Sequence, residues 1–265
     1  MISDSHLHSM FSSDSTTSPE DIILKAISYN MPYICFTDHS EFGYEDGLFV
    51  LNVNEYFSHL TKLKEKYTND INVLIGVEQG LETSKENIIK EFLNKYSFDF
   101  IIGSSHMVNG IDPYYKEYFE GRTTYEAICE YFSSVMDNLK TFDNFDVYGH
   151  IDYVIRYAIE KDENYCYDKY AEYLEPILKT IIAKGKGIEI NTGGLRSSIK
   201  ETNPSLEIIK KYKEFGGTII TVGSDAHTID DIAADFETAK NYLIEAGFEY
   251  YNVFINRKPY KINIS

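Results

Sequence analysis

Residues 73–78 read Val73-Leu74-Ile75-Gly76-Val77-Glu78, a short apolar run that ends in an acidic side chain. Similar apolar runs occur at residues 33–36 and 218–222, and longer stretches of helical character lie between them. Short apolar strands that alternate with helices are typical of a parallel α/β architecture. The pattern predicts about seven such units, with strands that end near His6, Thr37, Glu78, Ser104, His150, Asn191 and Gly223.

Local signals predict where several of the intervening helices begin and end. The pair Ser18-Pro19 is typical of a helix start, and residues 123–126, Thr-Thr-Tyr-Glu, are typical of a capping box. The pair Asn203-Pro204 is expected to open another helix that Gly216 closes, and Gly247 is expected to end the last long one.

The length and composition indicate one large α/β domain. The chain has 265 residues, 43% of them hydrophobic, and no linker-like segment or repeat interrupts the strand and helix alternation. We therefore predict a single domain over residues 1–265. The start of the chain has no basic or apolar leader, and Cys35, Cys129 and Cys166 show no paired spacing. We expect a cytoplasmic protein with reduced thiols and no membrane partner.

The formal net charge is −17 at pH 7. Such a charge argues against a broad basic face that binds nucleic acid, because neutralising a polyphosphate requires many Lys and Arg side chains. A small anionic substrate remains compatible with the composition if positive charge is concentrated in one pocket. Bound metal ions could supply that charge.

Histidines follow the predicted strands with unusual regularity. Because the carboxyl ends of parallel strands converge on one face, residues that are distant in sequence can form one pocket there. The segment His6-Leu7-His8 places two imidazoles on the same side of a strand, where they can bind one metal together. Six of the seven histidines lie at or just beyond a predicted strand end, namely His6, His8, His39, His106, His150 and His227. His59 lies within a predicted helix and receives no role.

Two carboxylates occur in the same kind of position as these histidines. Glu78 ends a buried apolar strand, and Asp225 stands in Gly223-Ser224-Asp225-Ala226-His227. A charged side chain at such a place needs a cation or several hydrogen-bond donors to offset its desolvation. Mixed imidazole and carboxylate ligands suit Zn, Mn or Fe(II) better than Ca or Mg.

These motifs together resemble those of the polymerase and histidinol phosphatase (PHP) superfamily of metallophosphoesterases. Within it the chain is most similar to stand-alone histidinol-phosphate phosphatases. The resemblance implies a distorted (β/α)7 barrel with three divalent ions at the carboxyl ends of its strands. The motifs that carry it are Asp4-Ser5-His6-Leu7-His8, Phe36-Thr37-Asp38-His39-Ser40, Gly76-Val77-Glu78, Gly103-Ser104-Ser105-His106, Gly149-His150-Ile151-Asp152 and Gly223-Ser224-Asp225-Ala226-His227.

The resemblance also implies how the ligands divide among the metals. The first ion would bind His6, His8, Glu78 and Asp225; the second would share Glu78 and add His106 and His150; the third would bind Asp14, His39 and His227. Arg156 and Arg196 are the implied phosphate clamp, since a planar guanidinium can donate two hydrogen bonds to phosphate oxygens. Asp225 or His227 would protonate the leaving alkoxide, directly or through water.

The favoured reaction is hydrolysis of L-histidinol phosphate in histidine biosynthesis. The same chemistry on another small substrate, such as a nucleotide or sugar phosphate, remains open. A non-catalytic metal-binding module would be expected to lack some ligands, whereas every expected position holds a competent residue. A related amidohydrolase would usually need a lysine at a strand end, and the sequence has none there.

The sequence does not identify the groups that bind the imidazole and amine of such a substrate. Residues 107–122 form the longest irregular connection, which could be an active-site flap or an ordinary surface loop. The candidates for substrate binding are Glu41, Asp112, Tyr114, Tyr115 and Tyr118.

Overall fold

The computed structural model describes residues 3–44, 47–158 and 165–264. The strands are β1 (Asp4–Leu7), β2 (Tyr33–Phe36), β3 (His39–Ser40), β4 (Asn72–Gly80), β5 (Phe100–Ser104), β6 (Val147–Tyr148), β7 (Gly187–Asn191), β8 (Ile220–Gly223), β9 (Tyr250–Ile255) and β10 (Lys258–Asn263). The α-helices are α1 (Pro19–Ser28), α2 (Val53–Lys66), α3 (Glu86–Lys95), α4 (Thr124–Thr141), α5 (Ala171–Ala183), α6 (Gly193–Arg196), α7 (Leu206–Glu214) and α8 (Phe236–Glu245).

The main sheet of the described chain is parallel and closes on itself. Its strand order is β1-β2-β4-β5-β6-β7-β8, with the short β3 beside β4. Strands β1 and β8 meet through a bridge between Leu7 and Ala226, where the His8 N–H donates to the Ala226 carbonyl oxygen over 3.0 Å. The predicted distorted (β/α)7 barrel is confirmed. Its closing seam lies beside the His6-Leu7-His8 segment.

The local signals predicted most element boundaries correctly. The Ser18 side chain accepts from the Glu20 N–H ahead of Pro19, and Thr123 and Glu126 form the capping box at the start of α4. Strand β4 continues past Glu78 to Gly80, and α7 begins at Leu206 behind an N-cap at Ser205 rather than at Pro204. None of the described helices has both the length and the apolar composition needed to cross a membrane.

The core surrounds the strands on both faces. In this barrel the inner faces of the strands pack against one another and the outer faces pack against helices, which is why the strands appear in the sequence as continuous apolar runs rather than alternating patterns. Helix α4 illustrates the outer layer, since its buried side chains Ile128, Phe132, Val135 and Leu139 recur every three or four residues. The buried apolar side chains of the described residues form one continuous cluster. The single domain over residues 1–265 stays a prediction.

A hairpin of β9 and β10 covers the amino-terminal end of the barrel and has no counterpart in our sequence analysis. Its turn consists of Asn256 and Arg257, both with positive φ (50° and 63°), as a type I′ turn requires. The Arg257 Nε donates to Asp146 Oδ2 over 2.6 Å, and Asn252 Oδ1 accepts from the Ile220 N–H over 3.0 Å. The hairpin therefore seals the end of the barrel opposite the predicted metal site.

Candidate metal centre

The predicted metal ligands converge at the carboxyl ends of the barrel strands. His6 and His8 lie in and just after β1, and both are fully buried. Their partners Glu78 and Asp225 line a cavity of about 350 Å³. Its lining includes the remaining predicted ligands, Asp14, His39, Glu78, His106, His150, Asp225 and His227.

Glu78 stands at the middle of the cluster, and its two carboxylate oxygens face different histidines. The Oε2 atom lies 3.2 Å from His6 Nε2 and 3.1 Å from His39 Nδ1. The Oε1 atom lies 2.8 Å from His150 Nε2 and 3.4 Å from His106 Nε2. This arrangement allows Glu78 to serve two adjacent metal positions, as the resemblance implied.

The proposed first ligand set is compact. The Nε2 atoms of His6 and His8 are 3.0 Å apart, and Asp225 Oδ1 lies 3.6 Å and 3.3 Å from them. Asp225 has a positive φ of 56°, an uncommon conformation for a residue with a side chain and one that is frequent at functional sites. The second set, Glu78, His106 and His150, also brings its ligand atoms within 4.8 Å of one another.

Asp14 closes the third proposed ligand set. Its Oδ2 atom lies 3.1 Å from His227 Nε2 and 3.5 Å from His39 Nε2. The His8 ring stacks on the His227 ring with a centroid separation of 4.1 Å, so His8, His39 and His227 also form a compact group. Asp14 is thus brought into the cluster from the loop after β1.

Two buried polar atoms indicate that the cluster fits cations. Glu78 Oε2 and His39 Nδ1 make no hydrogen bond with any residue that the structure describes, although they face each other. Burial by itself would raise the Glu78 pKa, but His6, His106 and His39 hold it well below its ordinary value. Burial lowers the His6 pKa, yet Glu189, Glu78 and Asp225 raise it well above the usual range. Divalent ions would take the place of the protons that these imidazoles otherwise hold.

Glu189 of β7 is a site residue that the sequence analysis missed. It is fully buried, its Oε1 atom lies 2.6 Å from His6 Nδ1, and its Oε2 atom accepts from the His150 N–H over 3.1 Å. A Cβ atom at Gly223 would approach Glu189 Oε1 to 2.5 Å, so glycine is needed where β8 passes this pair. The signal was a charged residue inside the apolar run Ile188-Glu189-Ile190.

Other buried groups orient further imidazoles from behind. Glu41 Oε1 lies 2.6 Å from His106 Nδ1, which places this candidate for substrate binding against a predicted ligand. The Ser12 hydroxyl lies 3.2 Å from His8 Nδ1 and donates to Asp38 Oδ1 over 2.9 Å. Carboxylates and hydroxyls in such positions fix the orientation of a metal-binding histidine and raise its basicity.

We expect the Glu189→Gln substitution to weaken metal binding by about 10- to 100-fold. The amide keeps the shape of the side chain but removes the charged acceptor from His6 Nδ1. Chelator competition followed by metal analysis measures the effect. Glu91→Gln, on the exposed surface of α3, is the matched control, and equal affinities in the two variants would contradict the role of Glu189.

Arg156 lies in the turn after β6, where its guanidinium group lines the cavity. Its Nη1 donates to Asp225 Oδ2 over 3.0 Å, its Nη2 to Asn191 Oδ1 over 2.8 Å, and its Nε to Asn203 Oδ1 over 2.6 Å. Asn203 in turn donates to Asp152 Oδ1 over 2.7 Å. These contacts hold the guanidinium plane in place and leave further N–H groups for a ligand.

Arg196 lies in α6, outside the residues that line the cavity. Its Nη2 donates to the Ser224 carbonyl oxygen over 2.6 Å, and its Nε lies 3.2 Å from Asp231 Oδ1. Its Nη1 is buried and makes no hydrogen bond to a described residue. The phosphate-binding role of Arg196 therefore stays a prediction, and this free donor is the observation that favours it.

The long connection at residues 107–122 contributes to the cavity only in part. Asp112, Tyr114 and Tyr115 line it. Tyr118 does not, because its ring is buried and its hydroxyl donates to the Ala127 carbonyl oxygen of α4 over 2.7 Å. Tyr118 was therefore a wrong candidate for substrate binding.

Sequence comparisons relate the chain to known proteins over nearly its whole length. The profile of the PHP domain matches residues 4–193. The histidinol-phosphatase of Lactococcus lactis is 32% identical over 256 residues, which cover 96% of this chain and 95% of that protein. A probable histidinol-phosphatase of Clostridium acetobutylicum is 35% identical over 241 residues, 90% of this chain and 91% of its own length.

Solved structures agree with the sequence relationship. The histidinol phosphate phosphatase of L. lactis, determined with Zn, L-histidinol and phosphate, superimposes with a TM-score of 0.92 at 31% identity, covering 98% of this chain and 99% of that one. A putative histidinol phosphatase from Listeria monocytogenes shares the fold, with a TM-score of 0.80 at 21% identity over 89% of this chain and 99% of that one. The chain therefore belongs to the PHP domain family.

Proposed function

We propose that the chain is a metal-dependent phosphomonoesterase that hydrolyses L-histidinol phosphate to L-histidinol and phosphate in histidine biosynthesis. The observation that carries the proposal is the Glu78-centred cluster, which shares one cavity with the Arg156 guanidinium. The names of the L. lactis and C. acetobutylicum relatives support the substrate, as does the L. lactis structure with L-histidinol and phosphate.

Three divalent ions, zinc, manganese or iron, are proposed as cofactors. The proposed ligand sets are His6, His8, Glu78 and Asp225; Glu78, His106 and His150; and Asp14, His39 and His227. When bound, such ions lower the pKa of water towards neutrality and offset the charge of the phosphate. The zinc in the L. lactis structure supports zinc among the three proposed metals.

Arg156 and Arg196 are proposed to bind the phosphate oxygens. Hydrogen bonds to Asn191, Asn203 and Asp225 already hold the Arg156 side chain in one orientation, so little conformational entropy is lost when it binds the phosphate. Both guanidinium groups also stabilise the charge that the equatorial oxygens carry in the transition state.

The leaving alkoxide needs a proton as its bond to phosphorus breaks. We assign this proton to Asp225 or His227, acting directly or through water. Both residues are also proposed metal ligands, and a bound ion would take the place of their protons, so the ligand sets favour the route through a water molecule beside them. His227 Nδ1 lies 3.0 Å from the Asp225 carbonyl oxygen, which leaves Nε2 facing Asp14.

The surroundings of the site favour a small substrate. The net charge of −17 opposes the binding of nucleic acid, and the cavity of about 350 Å³ suits a compact phosphate ester. A nucleotide or sugar phosphate is the second candidate substrate class. Residues 1–265 are proposed to act as one cytoplasmic domain without a membrane partner.

Phosphate release from metal-analysed protein tests the proposal. L-histidinol phosphate is compared with nucleotide and sugar phosphates at equal concentration, and the Glu78→Ala variant serves as the blank for contaminating phosphatases. A strong preference for L-histidinol phosphate supports the proposed reaction. A preference for another ester would replace L-histidinol phosphate as the proposed substrate. If metal-loaded protein released no phosphate from any ester, the enzymatic function would be contradicted.

A further inference from the structure

A buried carboxylate without a cationic partner lines the cavity beside the metal ligands. Asp112 is 5% exposed and lines the cavity. Its carboxylate accepts from the Tyr44 hydroxyl over 2.5 Å, from the Tyr114 N–H over 2.7 Å and from the Tyr153 hydroxyl over 3.4 Å. All three donors are neutral, and no Lys, Arg or His in the described ranges forms an ion pair with Asp112.

Aromatic rings surround this carboxylate within the same cavity. The rings of Tyr44 and Phe49 are 4.9 Å apart between centroids, those of Tyr114 and Tyr157 are 5.4 Å apart, and those of Tyr153 and Tyr157 are 5.0 Å apart. The face of an aromatic ring attracts cations through its quadrupole. A wall of such rings around an unpaired carboxylate favours an organic cation over a neutral group.

The position of Asp112 relative to the metal centre defines the kind of ligand that could reach both. The Tyr153 ring lies 5.0 Å from the His106 ring and 5.2 Å from the His150 ring, and its hydroxyl faces Asp112. One phenol ring therefore spans the distance from the predicted metal ligands to the carboxylate. A small molecule with a phosphate at one end and a cation at the other would meet complementary charge at both ends of the cavity.

Glu41 is the other carboxylate that lines this part of the cavity, and its geometry does not suit the same task. Its Oε1 atom lies 2.6 Å from His106 Nδ1 and 3.8 Å from His39 Nδ1, so imidazoles already occupy it. A Cβ atom at Gly80 would approach Glu41 Oε2 to 1.6 Å, which shows how closely the barrel surrounds that side chain. Asp112 is the carboxylate in this lining that contacts no imidazole, and its three neutral donors leave acceptor capacity on its oxygens.

We propose that Asp112, held by Tyr44 and Tyr153, forms a cation-binding subsite that selects phosphate monoesters whose alcohol portion is positively charged. The inference rests on the proposed phosphomonoesterase function and deepens it. For L-histidinol phosphate, the bound group is the ammonium or the protonated imidazole of the leaving alcohol. Asp112 is a specificity-determining residue that contacts the substrate away from the reacting phosphorus.

The Asp112→Asn substitution tests the subsite because it removes the charge and keeps the shape. The quantity to measure is the ratio of kcat/KM for L-histidinol phosphate to kcat/KM for p-nitrophenyl phosphate, in variants whose metal content has been determined. Hydrogen bonds to charged groups contribute about 1.5–3 kcal/mol, so we expect this ratio to fall by roughly 10- to 100-fold. The Asp112→Glu variant keeps the charge and should retain the preference for the cationic ester.

The outcomes separate the subsite from the proposed function. Suppose that wild-type protein hydrolyses L-histidinol phosphate and that Asp112→Asn lowers kcat/KM equally for L-histidinol phosphate and p-nitrophenyl phosphate. The subsite is then overturned, and the proposed function stands. If wild-type protein ignores L-histidinol phosphate, phosphocholine and phosphoethanolamine are compared with propyl phosphate. A preference for the cationic esters that depends on Asp112 then supports the subsite and rules out L-histidinol phosphate as the substrate. The absence of such a preference overturns the subsite.

Discussion

The Glu78→Ala variant is expected to lose nearly all phosphatase activity together with its bound metal. Glu78 contributes one oxygen to each of two histidine groups, so its removal deletes a ligand from two proposed metal positions at once. It also leaves His6, His39 and His106 without the central negative charge that they share. A metal ion contributes several kcal/mol to catalysis, so kcat/KM should fall by at least about 10³-fold.

Metal analysis and phosphate release on the same protein sample measure this effect. Glu91→Ala, on the exposed face of α3, controls for the loss of a glutamate side chain as such. Circular dichroism distinguishes a loss of metal from a loss of fold, since Glu78 is buried within β4. Full activity with intact metal stoichiometry in Glu78→Ala would refute the cluster.

The Arg156→Lys variant is expected to keep the cavity charge and to lose about 10²- to 10³-fold in kcat/KM. An ammonium group cannot reproduce the planar arrangement in which Arg156 donates to Asp225, Asn191 and Asn203 while still facing the cavity. The phosphate would then contact one mobile ammonium group instead of guanidinium N–H donors held in a fixed plane. Steady-state kinetics on L-histidinol phosphate, with metal content determined in parallel, measures the change.

Two companion variants show where the effect of Arg156→Lys originates. Asn203→Ala removes the acceptor of the Arg156 Nε together with the donor to Asp152 Oδ1, and it should reproduce a fraction of the loss. Arg196→Ala should raise KM for phosphate esters while metals stay bound, because its buried Nη1 is a donor without a described partner. If kcat/KM is unchanged in Arg156→Lys, the planar geometry of the guanidinium group has no role in the mechanism.

The strands and helix starts were predictable because their causes are local. An apolar run such as Val73-Leu74-Ile75-Gly76-Val77 is extended and buried because one face of the strand packs in the barrel interior and the other packs against the outer helices. The Thr123 capping box depends only on residues within one turn. The β9–β10 hairpin escaped prediction because its turn, Asn256-Arg257, is not the usual Asn-Gly, and burial against the barrel stabilises it instead.

The sequence by itself determined which residue types stand at the strand ends, namely six histidines with Glu78 and Asp225, whereas Asp14 and the role of Arg156 came only from the resemblance to the PHP superfamily. This was possible because parallel strands bring their carboxyl ends to one face whatever the details of packing. Only the tertiary structure decided which carboxylates stand behind the imidazoles. Glu189 meets His6 across 183 residues of sequence, and Glu41 meets His106 across 65. The tertiary structure also buries the Tyr118 side chain in the core, whereas Asp112 lines the cavity. Side-chain contacts between distant segments depend on barrel closure and register, which no local pattern encodes.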